Sequence, residues 1–167
     1  MKKFTEIKIK PRPELGIGLI EILVVVSIIG LSLVSLTGLG NFALKIQTRL
    51  KQNAVAANLA SEALEAARSI RDGGWSDLAN MTVDAPFHPA KNPSLYQWTM
   101  ASGEETIGGF TRRLTISNVF RDSGFNIVES GGTQDAGTKK ITAAVSWSYN
   151  GQNLQIILVD YLTNWKP

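Results

Sequence analysis

Residues 22–44 read ILVVVSIIGLSLVSLTGLGNFAL and contain no charged side chain in 23 positions. A helix of that length is about 35 Å long, which is enough to cross a bilayer core of about 30 Å. Helices in the core of a water-soluble protein rarely run so far without a charge. The stretch therefore predicts a membrane-spanning helix, and the rest of the chain is organised around it.

Charge is concentrated before this stretch. Residues 1–16 carry five basic and two acidic side chains, a balance of +3, and the rest of the chain has twelve of each. The pI of 9.3 therefore describes the N-terminal segment and gives no reason to expect a nucleic-acid partner. Three basic residues also follow the apolar stretch, but five precede it, which favours a cytoplasmic N-terminus. We expect a single-pass protein of the cytoplasmic membrane with residues 45–167 outside.

Two simpler interpretations of the apolar stretch are open. A secretory signal has an apolar region of about 7–15 residues followed by a small-residue cleavage site. Here the run is longer and no A-x-A sequence lies just beyond Leu44, which argues against a secretory signal. A plain single-pass anchor has the same hydropathy, so hydropathy does not separate it from other membrane proteins.

The helix is expected to continue beyond the membrane. Residues 41–71 contain no proline or glycine and are dominated by good helix formers, and Gly73-Gly74 predicts the end of the helix. A helical wheel shows two apolar faces, which indicates two partners: the protein's own globular part and a second surface. A merely alanine-rich helix is the alternative. One face comprises Ile46, Leu50, Ala54, Ala57, Ala60 and Leu64, and the other Val55, Leu59, Ala63, Ala66 and Ile70.

Strand patterns dominate the C-terminal half. Residues 75–95 are predicted to be a loop, because three prolines interrupt any regular element, and His88 among them is interpreted as an ordinary loop histidine. Residues 110–120 are rich in Thr, Leu, Ile, Val and Phe and predict a strand, and residues 125–128 are a second, short apolar run. The prolines are Pro86, Pro89 and Pro93.

The clearest hairpin pattern is residues 139–162, KKITAAVSWSYNGQNLQIILVDYL. Asn150-Gly151 is the favoured dipeptide of a two-residue type I′ turn, and this turn sets a register that pairs Tyr149 with Gln152. That register brings apolar partners together on one face of the hairpin. The sequence therefore predicts an α+β fold, in which a long N-terminal helix packs on a C-terminal antiparallel β-sheet. The apolar pairs are Trp147 with Leu154, Val145 with Ile156, and Ala143 with Leu158.

The upstream edge of the apolar stretch carries the most specific motif. Residues 16–30 read GIGLIEILVVVSIIG, in which a glycine ends the basic segment and an apolar run follows directly. The only acid of the run, Glu21, is the fifth residue after Gly16. The pattern resembles the cleavage and methylation signal of type IV prepilins and pseudopilins. A pilin-like fold, with a long helix and a C-terminal sheet, is what this resemblance implies.

The resemblance also implies processing and partners. In that family a membrane peptidase cuts after the glycine and methylates the new N-terminus. Gly16 would then be the last leader residue, Ile17 the methylated first residue of the mature chain, and Glu21 the assembly glutamate. The implied partners are the prepilin peptidase/methyltransferase, other pilin subunits in a homo-oligomeric filament, and an inner-membrane assembly platform. The chain departs from the family at Ile17 and Gly18, where phenylalanine and threonine are usual, and it lacks the cysteine pair of many members.

Four segments follow from these expectations. Residues 1–16 are a leader peptide, and residues 17–44 are the membrane-spanning half of the long helix. Residues 45–72 are its exposed half, and residues 73–167 are a globular part made of a loop and an antiparallel β-sheet.

A physical argument for Glu21 stands beside the resemblance. A carboxylate within the bilayer costs about 2.5–3.5 kcal/mol and normally marks a functional site with a partner. Cleavage after Gly16 would create an α-amine a few residues away, with a pKa of about 8 and hence a positive charge at neutral pH. The amine of an adjacent subunit would then pair with Glu21. The alternative is an acid solvated by lipid headgroups at the membrane surface.

Catalytic chemistry has few candidate residues. The chain has no cysteine and one histidine, which excludes thiolate nucleophiles, thiolate metal sites and disulfides. We therefore expect a structural protein and not an enzyme, with no cofactor and no metal. Acids in turns and basic pairs in strands are interpreted as solvated residues rather than as calcium or DNA sites. The acids are Asp72, Asp77, Glu129 and Asp135, and the pairs are Arg112-Arg113 and Lys139-Lys140.

The expected function is that of a structural subunit of a type IV pilus-like filament, held in the cytoplasmic membrane and then assembled into an extracellular filament at the cell surface. A minor pilin or a pseudopilin of a type II secretion or DNA-uptake system is the alternative within the family. An uncleaved single-pass anchored binding module is the alternative outside it.

Overall fold

The computed structural model describes residues 18–165. Its elements are a long helix, α1, a short helix, α2, and seven strands. The chain divides into two units, one ending at Gln47 and the other beginning at Thr48. The helices are α1 (Leu19–Gly73) and α2 (Trp75–Ala79), and the strands are β1 (Phe87–Lys91), β2 (Trp98–Ser102), β3 (Glu105–Ile107), β4 (Phe110–Arg121), β5 (Ile127–Val128), β6 (Thr133–Tyr149) and β7 (Gln152–Thr163).

Helix α1 is 55 residues long and continues past the apolar stretch, as predicted. It ends at Gly73, where the predicted stop signal lies. Glycine disfavours the helix because it loses the most conformational freedom on folding, which agrees with an end of the helix at the Gly73-Gly74 pair.

The seven strands form one antiparallel sheet in the second unit. The strand order is β2-β1-β4-β6-β7, and the short strands β3 and β5 both pair with β4 outside this path. Every pairing is antiparallel. The predicted α+β fold, a long N-terminal helix packed on a C-terminal antiparallel sheet, is therefore confirmed.

The hairpin of β6 and β7 has the predicted register. Tyr149 lies opposite Gln152 and Trp147 opposite Leu154, and the register continues without a shift along the pair. Asn150 and Gly151 have φ angles of 50° and 75°. Positive φ at both central residues is the requirement of a type I′ turn, whose twist matches that of the two strands.

The core lies between the sheet and the part of α1 that follows Thr48. Both predicted apolar faces of the helix contribute to it, because they adjoin at Ala56 and Ala67, which are fully buried. The sheet packs on this side and covers a flank of each face. The core members are Ala56, Ala60, Ala63, Leu64, Ala67 and Ile70 from α1, Leu78 from α2, and Leu114, Ile116, Ile141, Ala143, Val145, Trp147 and Leu162 from the sheet.

Residues 75–95, predicted to be a loop, contain α2 and β1. Pro89 lies inside β1 and is buried. The Asn92 N–H donates to the Gln97 carbonyl over 2.9 Å, which fixes the alternation of hydrogen-bonded positions along β1. Pro89 falls at a position whose nitrogen points away from β2, so the strand loses no hydrogen bond to β2. The prediction was wrong because a proline excludes a strand only where its nitrogen is needed.

Two smaller predictions on this sheet need correction. His88 lies in β1 and not in a loop, and its Nδ1 is 3.1 Å from the carbonyl oxygen of Gly103. The apolar run at 125–128 forms only the two-residue strand β5, because Phe125 belongs to a turn, with a φ of 63°. The Asp122 carboxylate accepts backbone N–H groups inside this turn, an arrangement that competes with strand pairing.

Candidate assembly surface

The first unit exposes apolar side chains around the whole circumference of the helix. Every residue from 18 to 51 is exposed, and Leu31 and Val34 each retain 71 % of their accessible surface. This part of α1 is long and apolar enough to span a membrane. An unbroken apolar surface of this length is not stable in water, since soluble proteins rarely expose large apolar patches. The surface therefore needs lipid or other apolar helices around it.

Hydroxyl groups within the apolar stretch are paired inside the helix. Each of four Ser and Thr side chains donates to a carbonyl one turn earlier, over 2.7–2.9 Å. In hydrocarbon no water satisfies an exposed hydroxyl, so this pairing lowers the cost of moving the stretch into lipid or into a helix bundle. This pairing depends only on local spacing, so it could have been predicted from the sequence. The four residues are Ser27, Ser32, Ser35 and Thr37.

Glu21 lies on this surface beside Ile22, Val25 and Val26. Its backbone N–H donates to the carbonyl of Gly18 over 2.9 Å, so the helix fixes its position. Glu21 is exposed, and within residues 18–165 it forms no ion pair. A charged acid within a membrane-spanning segment is costly, and such acids usually have a partner. Gly16 and Ile17, the predicted processing residues, lie outside the described residues.

In the second unit a buried arginine on the sheet contacts the helix. Arg112 on β4 is 3 % exposed. Its Nε donates to Oε1 of Glu105 over 2.7 Å, and its Nη1 donates to the carbonyl of Leu59 on the helix over 3.1 Å. Glu62 lies 3.4 Å from the same Nη1. The guanidinium therefore joins the helix to the sheet.

The interpretation of the basic pairs as solvated residues was wrong for Arg112 and Lys139. Lys139 is also buried, and its Nζ donates to Oδ1 of Asn118 over 2.7 Å. A signal was available in the sequence: Arg112 alternates with Leu114 and Ile116 and so shares their inward face. The polar partners that make this burial possible lie far away in the sequence and carry no comparable signal.

Further polar contacts run along the helix. Arg68 donates from Nε to Oδ2 of Asp160 on β7 over 2.9 Å, and this hydrogen bond raises the pKa of Arg68 above its usual range. Trp147 donates from Nε1 to Oε1 of Gln52 over 3.3 Å. These contacts fix the helix on the sheet in one register, which leaves its opposite side facing solvent.

Two of the four acids weighed as calcium ligands, Asp72 and Asp135, have other partners in the structure. Asp72 contacts Arg71 at 2.8 Å and accepts a hydrogen bond from Trp165. Asp135 accepts a hydrogen bond from Nε of Arg121 over 2.7 Å, which holds the pKa of this carboxyl below its usual value of 3.8. Among residues 18–165, no three His, Cys, Asp or Glu side chains gather as a metal site would require.

Comparisons with known proteins give no match among family models, curated proteins or solved structures. Function therefore has to be inferred from the exposed apolar helix, from Glu21 and from the motif that contains them.

Proposed function

We propose that the protein is the structural subunit of a type IV pilus-like filament, made as a prepilin, cleaved after Gly16 and N-methylated at Ile17. The observation that carries this proposal is the apolar half of α1, which is exposed on all sides and bears one acid, Glu21, near its start. A surface that meets no apolar neighbour within residues 18–165 is suited first to lipid and then to a bundle of identical helices.

Assembly would proceed by helix bundling. The apolar helices leave the bilayer and pack against one another, so their apolar surface stays away from water. Glu21 of one subunit pairs with the α-amine of another, and methylation of that amine keeps its positive charge. The sheets of the second unit would lie on the outside of the filament.

The alternatives predict different observations. A minor pilin or a pseudopilin is processed in the same way but contributes a small fraction of the filament mass. A single-pass anchored binding module keeps its N-terminal segment and does not assemble.

The decisive experiment is the intact mass and N-terminal sequence of the membrane-associated protein, followed by shearing of cells to release filaments. We expect a chain that begins at Ile17, carries one added methyl group and dominates the sheared fraction. The Gly16→Val variant is expected to accumulate as full-length precursor without filaments. A chain that still begins at Met1 in cells with an active prepilin peptidase would overturn the proposal and favour the anchored module.

Glu21 is tested separately from cleavage. The Glu21→Gln variant keeps the shape of the side chain and removes its charge, so we expect normal cleavage with a loss of filaments. Glu129→Gln is the matched control, because Glu129 lies in an exposed loop of the second unit. Normal filaments from Glu21→Gln would show that the acid is only solvated by headgroups.

A further inference from the structure

The side of α1 that faces away from the sheet has no assigned role. Beyond Thr48 it presents a line of exposed residues at helical spacing, which we call the outer stripe. The stripe is not apolar, and within residues 18–165 no other element covers it. Its members are Lys51, Ala54, Asn58, Glu62, Glu65 and Ser69.

Charge is segregated along the outer stripe. Its N-terminal end carries Lys51, which forms no ion pair within residues 18–165. This end therefore carries one positive charge. Its C-terminal end carries Glu62 and Glu65, whose side chains are 47 % and 66 % exposed.

The acidic end keeps a net negative charge despite its internal ion pairs. Two guanidinium groups, those of Arg68 and Arg112, contact four carboxylates. An excess of two negative charges remains, opposite in sign to the charge of Lys51 at the other end. The carboxylates belong to Glu62, Glu65, Glu105 and Asp160.

A second copy of the chain complements this pattern only when it is displaced. Copies that enter one membrane in the same direction have parallel helices. At equal height, parallel copies place Lys51 beside Lys51 and Glu62 beside Glu62, so like charges meet. A displacement of 11 to 14 residues, about 17–21 Å at 1.5 Å per residue, places Lys51 of one copy beside Glu62 or Glu65 of the next.

We propose that the outer stripe docks a second copy of this chain, displaced along the helix axis by about 17–21 Å, with Lys51 against Glu62 and Glu65. The inference rests on the proposed filament and adds the register between neighbouring subunits. The contact uses two different ends of one surface, so it repeats from copy to copy and builds an open assembly. The same charge pattern disfavours lateral contacts between subunits at equal height in the membrane, because like charges would then meet.

The absence of cysteine from the chain permits a direct test in assembled filaments. Asn58→Cys with Ser69→Cys places two thiols 11 residues apart on the stripe without removing a charge. The two positions are about 17 Å apart within one chain, beyond the 7 Å that a disulfide allows between Cα atoms. Any disulfide between positions 58 and 69 therefore joins two copies, and we expect a ladder of dimers, trimers and longer species.

The matched control is Ala54→Cys with Ser61→Cys, two exposed positions about 10 Å apart. This pair tests a smaller displacement and is expected to give no ladder. Filaments that form a ladder with the control pair, or no ladder with the 58–69 pair, would overturn the inference and leave the filament itself established. Absence of filaments, with a chain that begins at Met1, would instead refute the proposed function.

A charge exchange tests the chemistry of the contact. Lys51→Glu in the 58–69 background is expected to lower the yield of the ladder about tenfold, because like charges then meet. Adding Glu62→Lys, the position opposite residue 51 at a displacement of 11 residues, should restore most of the yield. No recovery, or a ladder that needs anionic lipid and is absent from sheared filaments, would assign Lys51 to headgroups and overturn the inference.

Discussion

At the scale of single residues, Arg112 occupies an inward position of β4 that the alternation with Leu114 and Ile116 reserves for an apolar side chain. Burial of a guanidinium is costly unless its charge and its N–H groups are matched. Glu105 supplies the charge and the Leu59 carbonyl accepts a further hydrogen bond. The contacts of Arg112 therefore help to fix the position of the helix on the sheet.

Replacement of Arg112 should be far more damaging than replacement of its neighbour. We expect Arg112→Ala to lower the free energy of unfolding by about 2–4 kcal/mol, because Glu105 loses its cation and the packed stem is removed. Arg113→Ala is the control, since the Arg113–Glu104 pair is exposed and should contribute less than about 1 kcal/mol. Denaturant unfolding of the full chain in detergent measures both. Equal losses would show that the buried guanidinium has no special role.

Asp135 gives a pH dependence with a defined sign. The hydrogen bond from Arg121, assisted by the Thr138 hydroxyl and the Gly137 N–H, lowers the pKa of Asp135 from its usual value of 3.8. The folded protein therefore binds fewer protons than the unfolded chain in acid. The contribution of Asp135 to stability is present above pH 3.8 and is lost as the pH falls through the lower, folded-state pKa.

We therefore expect Asp135→Asn to cost about 1–2 kcal/mol near neutral pH and progressively less in acid. The measurement is the difference in unfolding free energy between the wild type and the variant from pH 7 downward. In an Arg121→Met background, which removes the main cause of the shift, the acid dependence should weaken. A difference that stays constant through the acid range would contradict the assignment.

At the scale of elements, the helix beyond Thr48 approaches the sheet through alanines. Ala56, Ala60, Ala63 and Ala67 are all fully buried. Small side chains let the helix backbone lie close to the strands. Alanines on the outer side of the helix, such as Ala54, do not pack against the sheet. A larger side chain should therefore be tolerated on the outer side and not on the side that faces the sheet.

Replacement of alanine by a larger residue should affect stability differently on the two sides of the helix. Ala60→Leu is expected to cost about 1–3 kcal/mol by overpacking the core, whereas Ala54→Leu on the outer stripe should change stability by less than about 0.5 kcal/mol. Leucine and alanine have similar helix propensity, so the comparison reports packing alone. Thermal unfolding of the two variants checks this, and similar melting temperatures would place Ala60 outside the core.

At the scale of the whole molecule, the chain combines two units with opposite solvent requirements. The first exposes apolar side chains on every side, and the second has an apolar core between its part of the helix and the sheet. The apolar surface of the first unit favours lipid, so we expect the boundary between lipid and water to lie near the end of this unit.

A charge placed in the first unit tests this division. Leu33→Lys is expected to oppose membrane insertion by about 2.5–3.5 kcal/mol, since Leu33 lies near the middle of the apolar stretch. Gln47→Lys, just beyond the stretch, should have little effect. Alkaline extraction of membranes, followed by quantification of the retained protein, measures both variants. Equal retention of the two variants would show that the stretch does not cross the bilayer core.

Much of the fold could be predicted because its signals are local. The length of the charge-free run determines that a spanning helix is possible, and Gly73-Gly74 determines where the helix ends. Asn150-Gly151 fixes the hairpin register, because a two-residue turn allows only one pairing of the residues on the two strands. The position of Glu21 in the apolar run was likewise evident from the sequence, while the roles of Gly16 and Ile17 stay predictions.

Tertiary structure decided the features that depend on distant partners. Pro89 lies in a strand because its nitrogen turns away from β2, which the sequence around it does not reveal. Arg112 is buried because Glu105 and a helix carbonyl lie beside it in space, 7 and 53 positions away along the chain. Local patterns fix elements and turns since their energies come from neighbouring residues. Burial of a charge, and the face that a helix leaves free, depend on contacts that exist only once the chain has folded.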